Sequence, residues 1–351
     1  MSVNSSFWKG KKVFLTGHTG FKGGWMSLWL QSMGADLYGY SLEPPTENNL
    51  FSSAKISQNM NSIIGDIRDL DFLKSNLMGI NPDIVIHMAA QPLVRLSYLE
   101  PVHTYSTNIM GTVNLLEASR YASNIGAILN VTSDKCYENK EWDWGYRENE
   151  PMGGHDPYSN SKGCSELVTN AYRNSFFVDS KVGLGTARSG NVIGGGDWAE
   201  DRLIPDTLKA FQNLESVTIR NPLSIRPWQH VLEPLSGYLS LSEKLYEDGQ
   251  DFSSAWNFGP REEDSKQVDW IVQEIASQWG EHASWSVDNS NNLHEANLLK
   301  LDISKAVSRL KWTPTWSIKE AVEKTVSWHK SWLSNDDIQI QSLNQINDFK
   351  I

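Results

Sequence analysis

The sequence predicts an α/β protein, a doubly wound parallel sheet followed by a smaller C-terminal α/β domain. Three observations carry that expectation. Short apolar runs alternate with longer amphipathic ones through the N-terminal half of the 351 residues. A glycine-rich loop follows the first apolar run directly. Past about Ser189 the alternation stops, and glycine, proline and tryptophan become denser, as in GNVIGGGDW, NPLSIRPWQH, WNFGP and LKWTPTW.

Lys12–Thr16 (KVFLT) reads as a buried strand, followed by the glycine loop and a helix from about Gly23 to Met33. Asp36–Tyr40 is a second strand, Ile63–Gly65 a short third and Asp83–His87 a fourth. A long helix is expected from about Pro101 to Ala122. Ala127–Thr132 is a fifth strand, Asp156–Arg173 a helix and Lys181–Ala187 a sixth strand. Apolar strands alternating with helices make right-handed crossovers, so the strands run parallel and both faces are covered. That is the Rossmann arrangement, which binds dinucleotides. Residues 1–188 are expected to form this domain, with later sheet strands contributed from 225–260. Residues 189–351 should form a substrate-binding domain interleaved with it. The tail beyond about Leu333 is polar and is expected to be mobile or loosely docked.

Composition narrows the function. Apolar residues make up 39% and charged residues 21%, as in ordinary globular proteins. A net charge of −11 argues against nucleic acid as the main partner, since phosphate backbones need a basic footprint. A local basic site for one diphosphate remains compatible with it. Two cysteines, Cys136 and Cys164, make no disulfide framework, and the expectation is a cytoplasmic protein. The start, MSVNSSFWKGKK, carries no apolar leader, and no run approaches the roughly 20 apolar residues of a membrane helix. No His/Cys/Asp spacing suggests a metal.

Gly17, Thr19, Gly20, Phe21, Lys22 and Gly23 lie in the loop between the first strand and its helix. A tight glycine turn lets backbone N–H groups approach a pyrophosphate, and a helix N-terminus favours its charge. The spacing is GxxGxxG, and its strand–loop–helix context is what points to a dinucleotide. Ser41 and Glu43 stand after the second strand, where an acid is expected to bind ribose hydroxyls. No arginine lies nearby for a 2′-phosphate, which favours NAD over NADP. Glu43 precedes Pro44-Pro45 and also fits a solvated turn. Asp66, followed by Ile67, is a candidate for the adenine amino group, and Ala89-Ala90-Gln91 closes the fourth strand.

Tyr158 and Lys162 are four apart on one helix face. A tyrosine of ordinary pKa near 10 is a poor base at neutral pH, and a nearby ammonium favours the phenolate. The fifth strand ends in Thr132-Ser133, so the Ser133 hydroxyl is placed to hold a substrate oxygen. His87, at the end of an apolar strand, and Cys136 read as packing residues.

The segments TGHTGFKG, HMAAQP, TNIMGTVNLLEA, TSDKCY, YSNSK and RPWQHV resemble the extended short-chain dehydrogenases, specifically the sugar-nucleotide 4,6-dehydratases. The resemblance covers nearly the whole chain. Most such enzymes place Asp-Glu after the strand-end hydroxyl, and this chain has Asp134-Lys135. That pair, with TGHTGFKG, resembles the branch acting on CDP-linked glucose.

The resemblance implies NAD-dependent oxidation at C4, loss of water across C5–C6 and return of the hydride to C6. It implies Ser133, Tyr158 and Lys162 for the hydride step, Asp134 as acid and Lys135 as base, with the division between those two open. The Asn191 position is implied to meet the substrate diphosphate, with Arg202 and Arg226 as further phosphate candidates. Arg95, Ser97 and Asn108 are candidates to line the hexose site or orient reactive groups, Asn108 also on the cofactor side. The family also implies a homodimer built on the two long helices, and deoxysugar supply for bacterial surface polysaccharide such as lipopolysaccharide O antigen. The alternatives are a sugar-nucleotide epimerase, a dehydratase acting on another nucleoside-diphosphate hexose, and a binding protein that kept the fold. An epimerase does not need Asp134-Lys135, and a binding protein does not need Tyr158 and Lys162.

Overall fold

The computed structural model describes residues 3–288 and 298–349. Seven parallel strands form the central sheet. They are β1 (Lys12–Thr16), β2 (Asp36–Ser41), β3 (Asn61–Ile64), β4 (Ile84–His87), β5 (Ala127–Val131), β6 (Gly183–Ser189) and β7 (Ala255–Phe258). Their order is β7-β6-β5-β4-β1-β2-β3. The direction of winding reverses between β1 and β4, where a doubly wound sheet opens its ligand crevice.

Side chains alternate across the sheet, and both faces are covered. Val13, Leu15, Ile84, Ile86 and Leu129 join one core with Trp25, Trp29, Trp256 and Trp328. Phe14, Val85 and Ile128 join the other with Leu73, Leu115 and Leu116. The chain crosses back after the sixth strand. Helix Leu232–Asp248 buries Leu232, Leu235 and Leu239 in the first core, and β7 then pairs with β6 at the sheet edge.

A second lobe has its own core of Ile204, Leu208, Phe211, Val217, Ile271, Val272 and Val322. It contains helices Leu203–Gln212 and Val268–Trp279 and a parallel pair, Ser216–Ile219 with Ser284–Val287.

Two expectations need correction. The long helix after β4 is Pro101–Tyr105, a wider π turn at Ser106–Met110, and Gly111–Ser119. The polar tail is not loose. Ile338–Phe349 is a helix whose Ile338, Ile346 and Phe349 are buried in the first core. Those apolar residues lie on one helical face, so polar residues between them hide the pattern in a composition reading. Phe349 packs edge-on against Trp29 and Trp316, and Trp328 Nε1 donates to Ser342 Oγ at 2.9 Å.

Candidate active site

The site is assembled from the residues that follow β1, β4, β5 and β6. Gly17 ends β1 in the left-handed region, φ +79°, and a Cβ there would lie 2.7 Å from Ala89 N. A Cβ on Gly23 would come within 2.0 Å of the Gly17 carbonyl oxygen. These two glycines make the turn possible. Gly20 differs, because a Cβ there meets nothing nearer than 3.5 Å. Gly20 also precedes helix Phe21–Ser32 with no side-chain cap, leaving the helix's first N–H groups for an anion. The loop therefore fits a dinucleotide pyrophosphate.

The neighbouring turn is braced from below. Thr16 Oγ1 accepts from Met88 N and Ala89 N and bonds His87 Nδ1 at 2.7 Å. Burial pushes His87 down to about 3, so it packs as a neutral ring. Asn108 is buried. It accepts from Gln91 N at 2.8 Å and donates to Gln91 O and to Ser161 Oγ. It supports the Ala89-Ala90-Gln91 turn from behind. Thr19 Oγ1 donates to Leu42 O and lies 2.8 Å from Ser41 Oγ. Glu43 is exposed in the next turn, and Asp66 carries Arg68 on both carboxylate oxygens. Ile67 is buried beneath this edge.

At the end of β5, Ser133 caps the short turn Asp134–Cys136, accepting from Lys135 N at 3.2 Å. Its hydroxyl donates to Asp134 Oδ1 at 3.1 Å. Asp134 is 1% exposed, with Lys135 Nζ 3.7 Å from Oδ1 and with Oδ2 buried and unpartnered. Helix Pro157–Tyr172, capped by Asp156, carries Tyr158 and Lys162 into the same place.

The electrostatics differ from the sequence expectation. Burial pushes the Tyr158 phenol up to about 12, partly offset by the Ser133 hydroxyl and the Arg202 charge. Lys162 instead donates to Val131 O at 3.3 Å, and burial lowers it to about 8. The cation that favours the phenolate is thus Arg202, itself held by Asp197 at 2.8 Å. The local i, i+4 spacing gave no sign of this partner.

Lys22 is a second surprise. It belongs to the glycine loop, yet its Nζ reaches Ser189 Oγ at 2.9 Å. Burial, then the like charges of Arg202 and Lys162, push it down to about 7, with Asp134 opposing. Behind the site, Glu166 accepts from Arg188 Nε and Nη2, from Thr132 and from Thr186, all buried. Glu166 stands one helical turn after Lys162, the only hint its sequence offered.

The substrate candidates are spread. Asn191 Oδ1 is buried without a partner, directly after β6. Arg226 is buried and donates to Ile225 O. Arg95 pairs with Asp201 at 3.0 Å on the surface. Ser97 is fully buried, and its hydroxyl is spent on Val94 O of its own helix, so it packs rather than lines the site. Cys136 is buried beneath Asp134, and burial pushes its thiol well up. Among the described residues no cluster of His, Cys, Asp or Glu could hold a metal ion.

The model of the family described as GDP-mannose 4,6 dehydratase matches residues 14–325. A Salmonella typhimurium protein named CDP-glucose 4,6-dehydratase is 57% identical, covering 99% of this chain and 98% of that protein. Among solved structures, a double mutant of a dTDP-glucose 4,6-dehydratase from Streptomyces venezuelae, with NAD bound, superposes with a TM-score of 0.80. It is 19% identical and covers 93% of this chain and 99% of that one. A UDP-glucose 4-epimerase from Thermotoga maritima gives 0.78 at 20% identity, covering 92% and 99%. Both likenesses speak for the fold, which dehydratases and epimerases share. With the glycine loop, the strand-end serine and the Tyr158–Lys162 helix in one site, and with these matches along almost its full length, the chain belongs to the GDP-mannose 4,6-dehydratase family of extended short-chain dehydrogenases.

Proposed function

We propose that this chain is an enzyme that converts CDP-glucose to CDP-4-dehydro-6-deoxyglucose and water. The observation that carries the reading is the Asp134–Lys135 pair, set against Ser133 in the same site as Tyr158. Its substrate follows from the 57% identity to the Salmonella enzyme. NAD would be held by Gly17–Gly23 and the Ala89–Gln91 turn, and it would supply the hydride acceptor for C4 and, once reduced, the hydride donor for C6.

The chain's own residues move the protons. Tyr158 takes the C4 hydroxyl proton while Ser133 holds that oxygen, and Arg202 favours the phenolate. The C4 ketone acidifies C5–H, which Lys135 removes. Asp134 protonates the C6 hydroxyl through Oδ2, and water leaves. Lys135 then returns its proton to C5. Asn191, Arg202 and Arg226 hold the diphosphate. Arg95 borders the sugar side, and Ser97 supports its helix.

Exposed apolar side chains at Leu99, Val102, Met110 and Leu167, on helices that pack together, favour a homodimer through that face. Free cysteines, and no described helix long and apolar enough to cross a membrane, favour a cytoplasmic enzyme. Its product would serve deoxysugar synthesis for surface polysaccharide such as lipopolysaccharide O antigen.

The test is turnover with CDP-, dTDP- and GDP-linked hexoses. CDP-glucose should be used best, with a product that absorbs near-UV light in alkali and no net NADH. Steady NADH production would mean a plain dehydrogenase and would overturn the reading.

A further inference from the structure

One surface carboxylate joins the two lobes. Arg95 stands on helix Val94–Leu99, which packs against the helix carrying Tyr158 and Lys162. Arg220 directly follows the strand Ser216–Ile219, whose Val217 and Ile219 lie in the core of the second lobe. The two arginines thus come from different lobes, and they meet on one atom. Asp201 Oδ1 lies 3.0 Å from Arg95 Nη1 and 3.9 Å from Arg220 Nη2. Asp201 immediately precedes Arg202, to which the diphosphate is assigned.

The fit is incomplete. A guanidinium offers five N–H donors in a rigid fork that matches phosphate oxygens two at a time. Asp201 accepts a hydrogen bond from Arg95. The Arg220 contact, at 3.9 Å, is too long to be one. Arg220 Nη1 is buried and has no hydrogen-bond partner among the described residues. A buried donor without an acceptor is costly, so the Arg220 fork is underused as it stands. The Arg95–Asp201 pair is exposed, with side chains 38% and 45% open to solvent, and an exposed pair contributes little. A diphosphate can replace that pair at small cost and supply the acceptors that one carboxylate does not.

We propose that Arg95 and Arg220 form a phosphate-binding fork for the nucleotide sugar, and that Asp201 is an internal anion that holds the fork until the diphosphate displaces it. Arg95, which borders the sugar, meets the phosphate attached to it. Arg220 joins Asn191, Arg202 and Arg226 as a substrate residue supplied by the second lobe. This rests on the reading of the chain as a nucleotide-sugar enzyme, whichever base is carried.

The experiment is calorimetric titration of the NAD-saturated protein with inorganic pyrophosphate, CDP and cytidine. Asp201→Asn removes the competing charge, keeps the side-chain shape and suits the left-handed backbone there, φ +59°. It should bind pyrophosphate and CDP about 3-fold more tightly, the scale of a surface ion pair, with cytidine unchanged. Arg220→Met should bind both more weakly by roughly 10-fold, again with cytidine unchanged. Arg220→Lys, which keeps the charge and loses the fork, gives the same test if Arg220→Met does not fold. Glu200→Gln removes the same charge one residue away and should change nothing. Asp201→Asn that binds pyrophosphate no more tightly than the unmodified protein, or Glu200→Gln that gains as much, would overturn the internal anion. Unchanged pyrophosphate affinity in the Arg220 variant would overturn the fork. A protein that binds CDP in this way yet gives no alkali-absorbing product from CDP-glucose would overturn the dehydration reading and leave the fork standing.

Discussion

Lys22 Nζ donates to Ser189 Oγ at 2.9 Å, tying the loop after β1 to the end of β6. Tyr238 OH donates to the same oxygen at 2.7 Å. The amine thus sits in a packed corner beside Lys162 and Arg202, which with burial lowers it from 10.5 to about 7. Between those values the unfolded chain binds more protons than the folded one, so this group makes stability rise with pH. Its cost is fully present below about 7 and vanishes above 10.5. Lys22→Met removes that slope. Urea midpoints of variant and parent, at equal NAD saturation, should converge in the parent's favour as pH rises from 7. A pH-independent difference would count against the assignment.

Lys135 lies 3.7 Å from Asp134 and is the group assigned to C5–H. Lys135→Ala should leave C4 oxidation intact and lower dehydration by about 10²- to 10⁴-fold, the usual worth of a positioned base. Reduced nicotinamide should then build up within a single turnover, seen by stopped-flow absorbance. Unimpaired formation of the alkali-absorbing product would remove Lys135 from the mechanism.

What could be read from sequence here was local. The Gly17–Gly23 loop and the Tyr158/Lys162 spacing are set within one turn or one helix, so residue type and interval are enough. Arg202 faces Tyr158 from a loop 44 positions on, and Arg188 meets Glu166 only because β6 lies beside helix Pro157–Tyr172. Such partners depend on tertiary packing, which residue spacing does not encode. The Ile338–Phe349 helix was hidden otherwise, its few apolar residues diluted by Asn, Gln and Asp.

The Arg188–Glu166 pair is buried at 2.8 Å, with side chains 4% and 5% exposed. Burial raises the Glu166 carboxyl, but Arg188 and the Thr132 and Thr186 hydroxyls more than offset it and hold it low. Arg188→Met strands a carboxylate in the core and should cost about 3–5 kcal/mol. Glu166→Gln in the same chain should recover part of that loss. Denaturant unfolding of the two singles and the double measures the coupling, and additive losses would mean that the pair does not act as a unit.

Phe349 is 7% exposed and packs edge-on against Trp29 and Trp316, joining the C-terminal helix to the first crossover helix. Truncating a buried phenylalanine removes its transfer energy and leaves a cavity, for about 3–5 kcal/mol. Lys324–Asp348 at 2.9 Å is exposed and contributes little by comparison. Phe349→Ala should therefore lower the unfolding midpoint clearly, while Asp348→Ala should shift it by about 1 kcal/mol at most. The ring partners of Phe349, Trp29 and Trp316, are not among the residues assigned to the chemistry, so kcat below the new midpoint should hold. A loss under about 1 kcal/mol in Phe349→Ala would show that the tail contributes little to the fold in solution, whatever its packing.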